Sequence, residues 1–129
     1  MHSACVCFHL SLSGEDYDCY PEFKVRRHTV YNPSLGENLW IQCPVTFCNS
    51  SQLPISWYKR ENNAVPINFS RSTHIKTEWN ISSPVEGISY LIFQNIQKSD
   101  SGEYLCQTVG SVSHFINVSV HGKCDFFND

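Results

Sequence analysis

Three kinds of residue in this chain could do chemistry or carry a covalent group: seven cysteines, six histidines, and asparagines in Asn-x-Ser/Thr triplets. His2-x2-Cys5-x-Cys7-x-His9 offers zinc-ligand types, but the spacing fits no common structural zinc site. The histidines and serines sit in no nucleophile-elbow or metalloprotease motif. No catalytic residue, metal site or cofactor is therefore expected, and the chain does not read as an enzyme. Cysteine at this density reads better as a disulfide framework. Four unblocked glycosylation sequons begin at Asn49, Asn68, Asn80 and Asn117, whereas Asn32-Pro33-Ser34 is blocked by its proline. Cysteines and sequons together point to an oxidising, glycosylating, extracellular setting.

The elements that must position these groups belong to one domain, since 129 residues is a one-domain length. Hydrophobic residues reach 41% and aromatics 13%, enough for a proper core and against disorder. A formal net charge of −3 gives no general attraction to nucleic acid or to an anionic membrane surface. No apolar run is long enough to span a bilayer. Residues 1–14 carry a short apolar stretch followed by small residues, and read as a leader remnant or a flexible N-terminal tail. Residues 121–129 have no strand period and read as the start of a stalk, with any membrane anchor expected beyond residue 129.

Between the tails the hydrophobic period is two. Leu39, Ile41 and Cys43 alternate with Asn38, Trp40 and Gln42, and Ile55 and Trp57 alternate with Ser56 and Tyr58. Tyr104 and Cys106 alternate with Glu103 and Leu105. His114, Ile116, Val118 and Val120 fall on one face of the last run, which turns Asn117 outward. Turn chemistry at Asn32-Pro33-Ser34-Leu35-Gly36, Glu61-Asn62-Asn63 and Ser99-Asp100-Ser101-Gly102 separates the runs. The chain is all-β, with Asn49, Asn68 and Asn80 expected in loops or at strand ends.

Cys43, Trp57 fourteen residues later, and Asp100-x-Gly102-x-Tyr104-x-Cys106 occur in that order. The set resembles the immunoglobulin-like β-sandwich. In that fold a disulfide joins the two sheets, a tryptophan packs on it, and a tyrosine closes the corner before the second cysteine. The resemblance implies a Cys43–Cys106 bridge and a domain over residues 19–120. The interval from Trp57 to Tyr90 has room for strands C′ and D but not for a further hairpin, which indicates an intermediate (I-set-like) sandwich. No Phe-Gly-x-Gly segment follows Cys106, so a rearranged antigen receptor is excluded.

Cys48 falls just past the strand of Cys43, where the N-terminal strand passes in this fold, so a Cys19–Cys48 bridge is compatible with that geometry. With Cys19, the run Gln42-Cys43-Pro44-Val45-Thr46-Phe47-Cys48, Ile55-Ser56-Trp57, Asn80-Ile81-Ser82 and the tyrosine motif, the sequence resembles the B- and T-lymphocyte attenuator family of inhibitory immunoglobulin-superfamily receptors. The resemblance implies a cell-surface ectodomain. Its implied partner is herpesvirus entry mediator, a cysteine-rich member of the tumour necrosis factor receptor superfamily, bound partly by edge-strand pairing. Carried over by position, the partner contacts fall on Glu22, Arg27, Pro44 and His114, with Glu22 standing where the family has glutamine. Arg27 ends the basic run Lys24-x-Arg26-Arg27-His28 on an expected edge strand, and Pro44 lies where a strand edge or bulge tolerates proline. Edge charges also serve simply to block aggregation.

Two departures from the family stand out: Tyr58 replaces a cysteine that begins a third bridge, and the segment after Cys106 is shorter. Cys5, Cys7 and Cys124 stay unassigned. The alternative reading is a soluble decoy or a cytokine-binding immunoglobulin module of the interleukin-1-receptor kind. Neither reading involves a small-molecule substrate.

Overall fold

The computed structural model describes residues 19–50, 52–72 and 74–122. The histidine–cysteine cluster near the N-terminus, residues 1–14, residues 123–129, and Cys5, Cys7 and Cys124 lie outside the described residues, whereas His121, expected to begin the stalk, is held in a parallel bridge to Ser34. Ten strands follow one another among the described residues: β1 (Glu22–Phe23), β2 (Thr29–Tyr31), β3 (Leu39–Thr46), β4 (Ser56–Arg60), β5 (Ala64–Pro66), β6 (Ile75–Ser83), β7 (Glu86–Phe93), β8 (Gly102–Thr108), β9 (Ser111–Val112) and β10 (Ile116–Val118). A 3-10 turn, Lys98–Asp100, separates β7 from β8. No helix among the described residues is long and apolar enough to cross a membrane.

The strands form two sheets. One runs β1-β3-β7-β6; the other runs β2-β10-β8-β4-β5, with β9 added beside β8. All pairings are antiparallel except β10 with β2, which is parallel. The short β5 and the direct passage to β6 give the intermediate type of sandwich, since no further strand lies between them.

Alternation places the core. Ile41, Cys43 and Val45 of β3 are buried while Trp40 and Gln42 are exposed. Leu91 and Phe93 of β7, Trp57 of β4, Tyr104 and Cys106 of β8, and Ile116 and Val118 of β10 complete it. Each large buried side chain withdrawn from water contributes about 1.5–3 kcal/mol. The Cys43–Cys106 bridge ties β3 to β8, hence one sheet to the other, with Cα atoms 6.6 Å apart. Trp57 lies opposite Cys106 on the neighbouring strand and donates its indole N–H to the Ser89 hydroxyl at 2.9 Å. Ser89 stands opposite Cys43 on β7, so tryptophan and bridge span the sandwich at the same level. The Tyr104 hydroxyl donates to the Asp100 carbonyl at 2.5 Å, closing the corner before β8.

Asn80 departs from expectation. It lies inside the nine-residue β6, because β6 pairs with β7 from Ile75 to Ser83 with one irregularity between Ile81 and Ser83. Asn49 and Asn68 lie in loops. Trp79 of β6 lays its ring over Gly87 of β7, where a Cβ would meet ring carbons at 2.4 Å. The same ring meets Phe47 edge-on, with centroids 6.0 Å apart.

Candidate functional site

The first strand changes sheet, and that change builds the candidate site. β1 pairs with β3 only at Glu22 and Phe23, and the Lys24 N–H then donates to the Pro44 carbonyl at 2.9 Å. Val25 turns inward and is buried, after which Arg26, Arg27 and His28 are exposed. His28 adopts φ 64, the left-handed region that reverses the chain cheaply only for glycine and a few polar residues. The Thr29 hydroxyl fastens the turn by donating to the Arg26 carbonyl at 2.6 Å. The chain then joins the other sheet as β2, at that sheet's edge. Arg27 therefore sits at the crossing between the two sheets.

The opposing strand is broken too. Val112 of β9 stands opposite Gln107, and Ile116 of β10 stands opposite Tyr104. Ser113, His114 and Phe115 thus face only Leu105 and Cys106, which is a β-bulge with one extra residue. Ser113 turns inward and anchors the bulge: its hydroxyl accepts from the Cys106 N–H at 3.0 Å and its own N–H donates to the Cys106 carbonyl at 2.9 Å. His114 and Phe115 are both left exposed. The expectation that His114 shares the inward face of Ile116, Val118 and Val120 is thereby corrected. Those three are buried and Asn117 is exposed, but the extra residue turns His114 out.

Arg27 and His114 consequently line one shallow depression on the outer side of the second sheet, with His28, Val30, Phe115 and Asn117. Its wall is braced from β4 and β8. Arg60 donates to the Glu103 carboxylate at 3.0 Å and lies over the Phe115 ring at 5.1 Å from the centroid. Sequence reasoning did not place Phe115 or the Asn117 side chain beside Arg27, because β2 and β10 meet only in the folded sheet.

Glu22 and Pro44 belong to the other sheet. Glu22 is exposed opposite Thr46, and Pro44 lies two residues along the same strand, half-buried. Pro44 is not at an edge, since β3 runs between β1 and β7. It is tolerated because its carbonyl faces β1, so its missing N–H faces β1 as well, where pairing stops at Lys24. The four residues thus form two pairs, one on each sheet, joined by the chain from Glu22 to His28.

Beside them the N-terminal segment is held in place. Cys19 and Cys48 are bridged, with Cα atoms 6.1 Å apart. Tyr20 packs on Gly110, whose φ of 86 closes the tight turn from β8 to β9. The Ser111 hydroxyl donates to the Pro21 carbonyl. This hairpin turn follows Cys106, and Val109 in the turn and Val112 on β9 are exposed. β9 itself pairs with β8 along one edge only.

Comparison with known proteins agrees with the fold. The immunoglobulin domain family model matches residues 31–116. The B- and T-lymphocyte attenuator of Rattus norvegicus is 29% identical over 90 residues, covering 69% of this chain and 28% of that protein. The chain thus spans about a quarter of that relative's length. The solved structure of the BTLA ectodomain superposes with a TM-score of 0.63 at 28% identity, covering 81% of this chain and all of that one. A titin I-band fragment, I67–I69, shares the fold alone, with a TM-score of 0.59 at 19% identity over 79% of this chain and 33% of the fragment. Bridged sheets, buried tryptophan, tyrosine corner and matched family model lead to one conclusion: the chain belongs to the immunoglobulin domain family, and is similar to the BTLA ectodomain.

Proposed function

We propose that this domain is the ectodomain of a cell-surface inhibitory receptor that binds a cysteine-rich member of the tumour necrosis factor receptor superfamily, herpesvirus entry mediator or a relative of it. The observation that carries the reading is the convergence of Arg27 and His114 at one depression, on a domain similar to the attenuator ectodomain. Glu22 and Pro44, on β1 and β3 of the other sheet, form a second pair of contacts in this reading. Arg27 contributes a charge-assisted contact that a carboxylate on the partner would complete. A soluble cytokine-binding module is not favoured by the attenuator likeness.

The test is binding of the mediator's ectodomain by surface plasmon resonance. Arg27→Ala weakens binding by at least about tenfold, as truncation of a charged hot spot does. Its thermal midpoint stays within a few degrees, since no contact of the Arg27 side chain is buried. Lys76→Ala, exposed on β6 in the other sheet, changes neither. Full binding by the Arg27 variant removes this edge from the interface, and absence of binding by the unmodified domain removes the partner.

A further inference from the structure

The sequon Asn117-Val118-Ser119 puts its asparagine in the same depression as Arg27 and His114. Asn117 is exposed at the centre of β10, with Val30 of β2 on one side and Glu103 of β8 on the other. Two apolar side chains beside it are left in water: Val30 is 52% exposed and Phe115 37%. Val30 and Phe115 thus give the concavity a small apolar surface beside the sequon. The depression encloses about 420 Å³, within the rough 300–1,000 Å³ range of sites that hold small ligands. Phe115 lies beneath the Arg60 guanidinium, which is itself paired with Glu103.

We infer that an N-linked glycan on Asn117 occupies this depression, its first sugars resting on Val30 and Phe115 and screening Arg27 and His114 from a protein partner. In the modification the Asn117 side-chain nitrogen loses a proton and bonds to the anomeric carbon of an oligosaccharide. The sugar–phosphate bond of a lipid-diphosphate donor breaks, and the lipid diphosphate leaves. Sugar rings present C–H faces that cover apolar and aromatic side chains, while their hydroxyls remain in water or reach the basic groups at the rim. Occupancy at Asn117 then sets how much of the Arg27–His114 surface a partner can use. The partner half of this inference rests on the attenuator-like reading; the covering of Arg27 does not.

The experiment compares the chain from mammalian cells with Ser119→Ala, which ends the sequon and keeps Asn117. Ser119 is engaged through its backbone N–H to the Tyr31 carbonyl, so the variant keeps that bond. Glycopeptide mass spectrometry reads occupancy. Labelling of Arg27 by an arginine-selective dicarbonyl reads covering, and binding to the mediator's ectodomain reads the consequence. Occupied Asn117, Arg27 labelling several-fold slower than in Ser119→Ala, and affinity lower by about threefold or more are expected. Asn117→Gln must match Ser119→Ala in labelling and binding. An unoccupied Asn117, or equal labelling of the glycosylated and unglycosylated forms, overturns the inference. Slower labelling with no binding by any form leaves the glycan in the depression and rejects the attenuator-like partner instead. Slower labelling with equal binding shows that the partner does not use this surface, and rejects the screening.

Discussion

The Cys19–Cys48 bridge is the feature whose removal the structure prices most directly. β1 pairs with its neighbour over two residues, too few to hold a strand in place unaided. What keeps the N-terminal segment docked is the bridge, the Tyr20 ring on Gly110 and the bond from Ser111 to Pro21. The bridge closes a separation of 29 residues, for which the chain-entropy relation gives about 3.5 kcal/mol. Replacing both cysteines, as Cys19→Ser with Cys48→Ser, avoids an unpaired thiol and removes only the link. The double variant is expected to lose about 2–4 kcal/mol of unfolding free energy in guanidinium titrations. At about 4–8 °C per kcal/mol for a domain near this size, the thermal midpoint falls by roughly 8–32 °C. Hydrogen exchange should show residues 19–24 opening while the Cys43–Cys106 core keeps its protection. A double variant within about 0.5 kcal/mol of the parent would refute the reasoning, because the segment would then be held by packing alone.

Three further outcomes are expected. Tyr104→Phe strips a buried carbonyl of its donor and costs about 1–3 kcal/mol in denaturant titrations at neutral pH. Burial, and after it the charges of Asp100 and Glu61, push the Tyr104 phenol well above its ordinary value. Its stabilisation is therefore complete below pH about 10 and lost as pH rises past it, so the parent's stability falls more steeply in alkali than that of Tyr104→Phe. His74→Ala removes a donor lying 2.8 and 3.1 Å from the two carboxylate oxygens of buried Asp100, leaving the Gln97 N–H as a remaining partner. It should cost about 1–3 kcal/mol, with His74→Gln recovering part of that loss by calorimetry. Gly110→Ala forces a Cβ to 2.7 Å from the Tyr20 ring at a φ that alanine resists. A loss of about 1 kcal/mol or more, with faster exchange at residues 19–23, is expected, and an unchanged midpoint would count against the docked Tyr20.

Sandwich and bridges were legible in the sequence because their signals are local or carried by rare residues. Period-two burial in β3 and β4 needs only the strand's own pleat, and Cys43, Trp57, Tyr104 and Cys106 stand at spacings that few other folds require. Cys48 follows Cys43 closely enough that its neighbourhood could be read from the fold, and Cys19 is the partner the structure shows. The surface around Arg27 was not legible in the same way. Ser113-His114-Phe115 continues an alternating pattern as well as it accommodates a bulge, and only pairing with β8 shows that one residue is extra. Because side-chain direction has a period of two, that single residue moves His114 from the inward face to the outside. Asn80 looked like a strand end for a related reason: the length of β6 is set by what β7 offers to pair with, not by the residues of β6 themselves. Likewise nothing along the chain joins Arg27 to Asn117. They share a depression because the chain leaves the first sheet after β1 and β2 lies parallel to β10, a contact between distant segments that the tertiary structure alone decides.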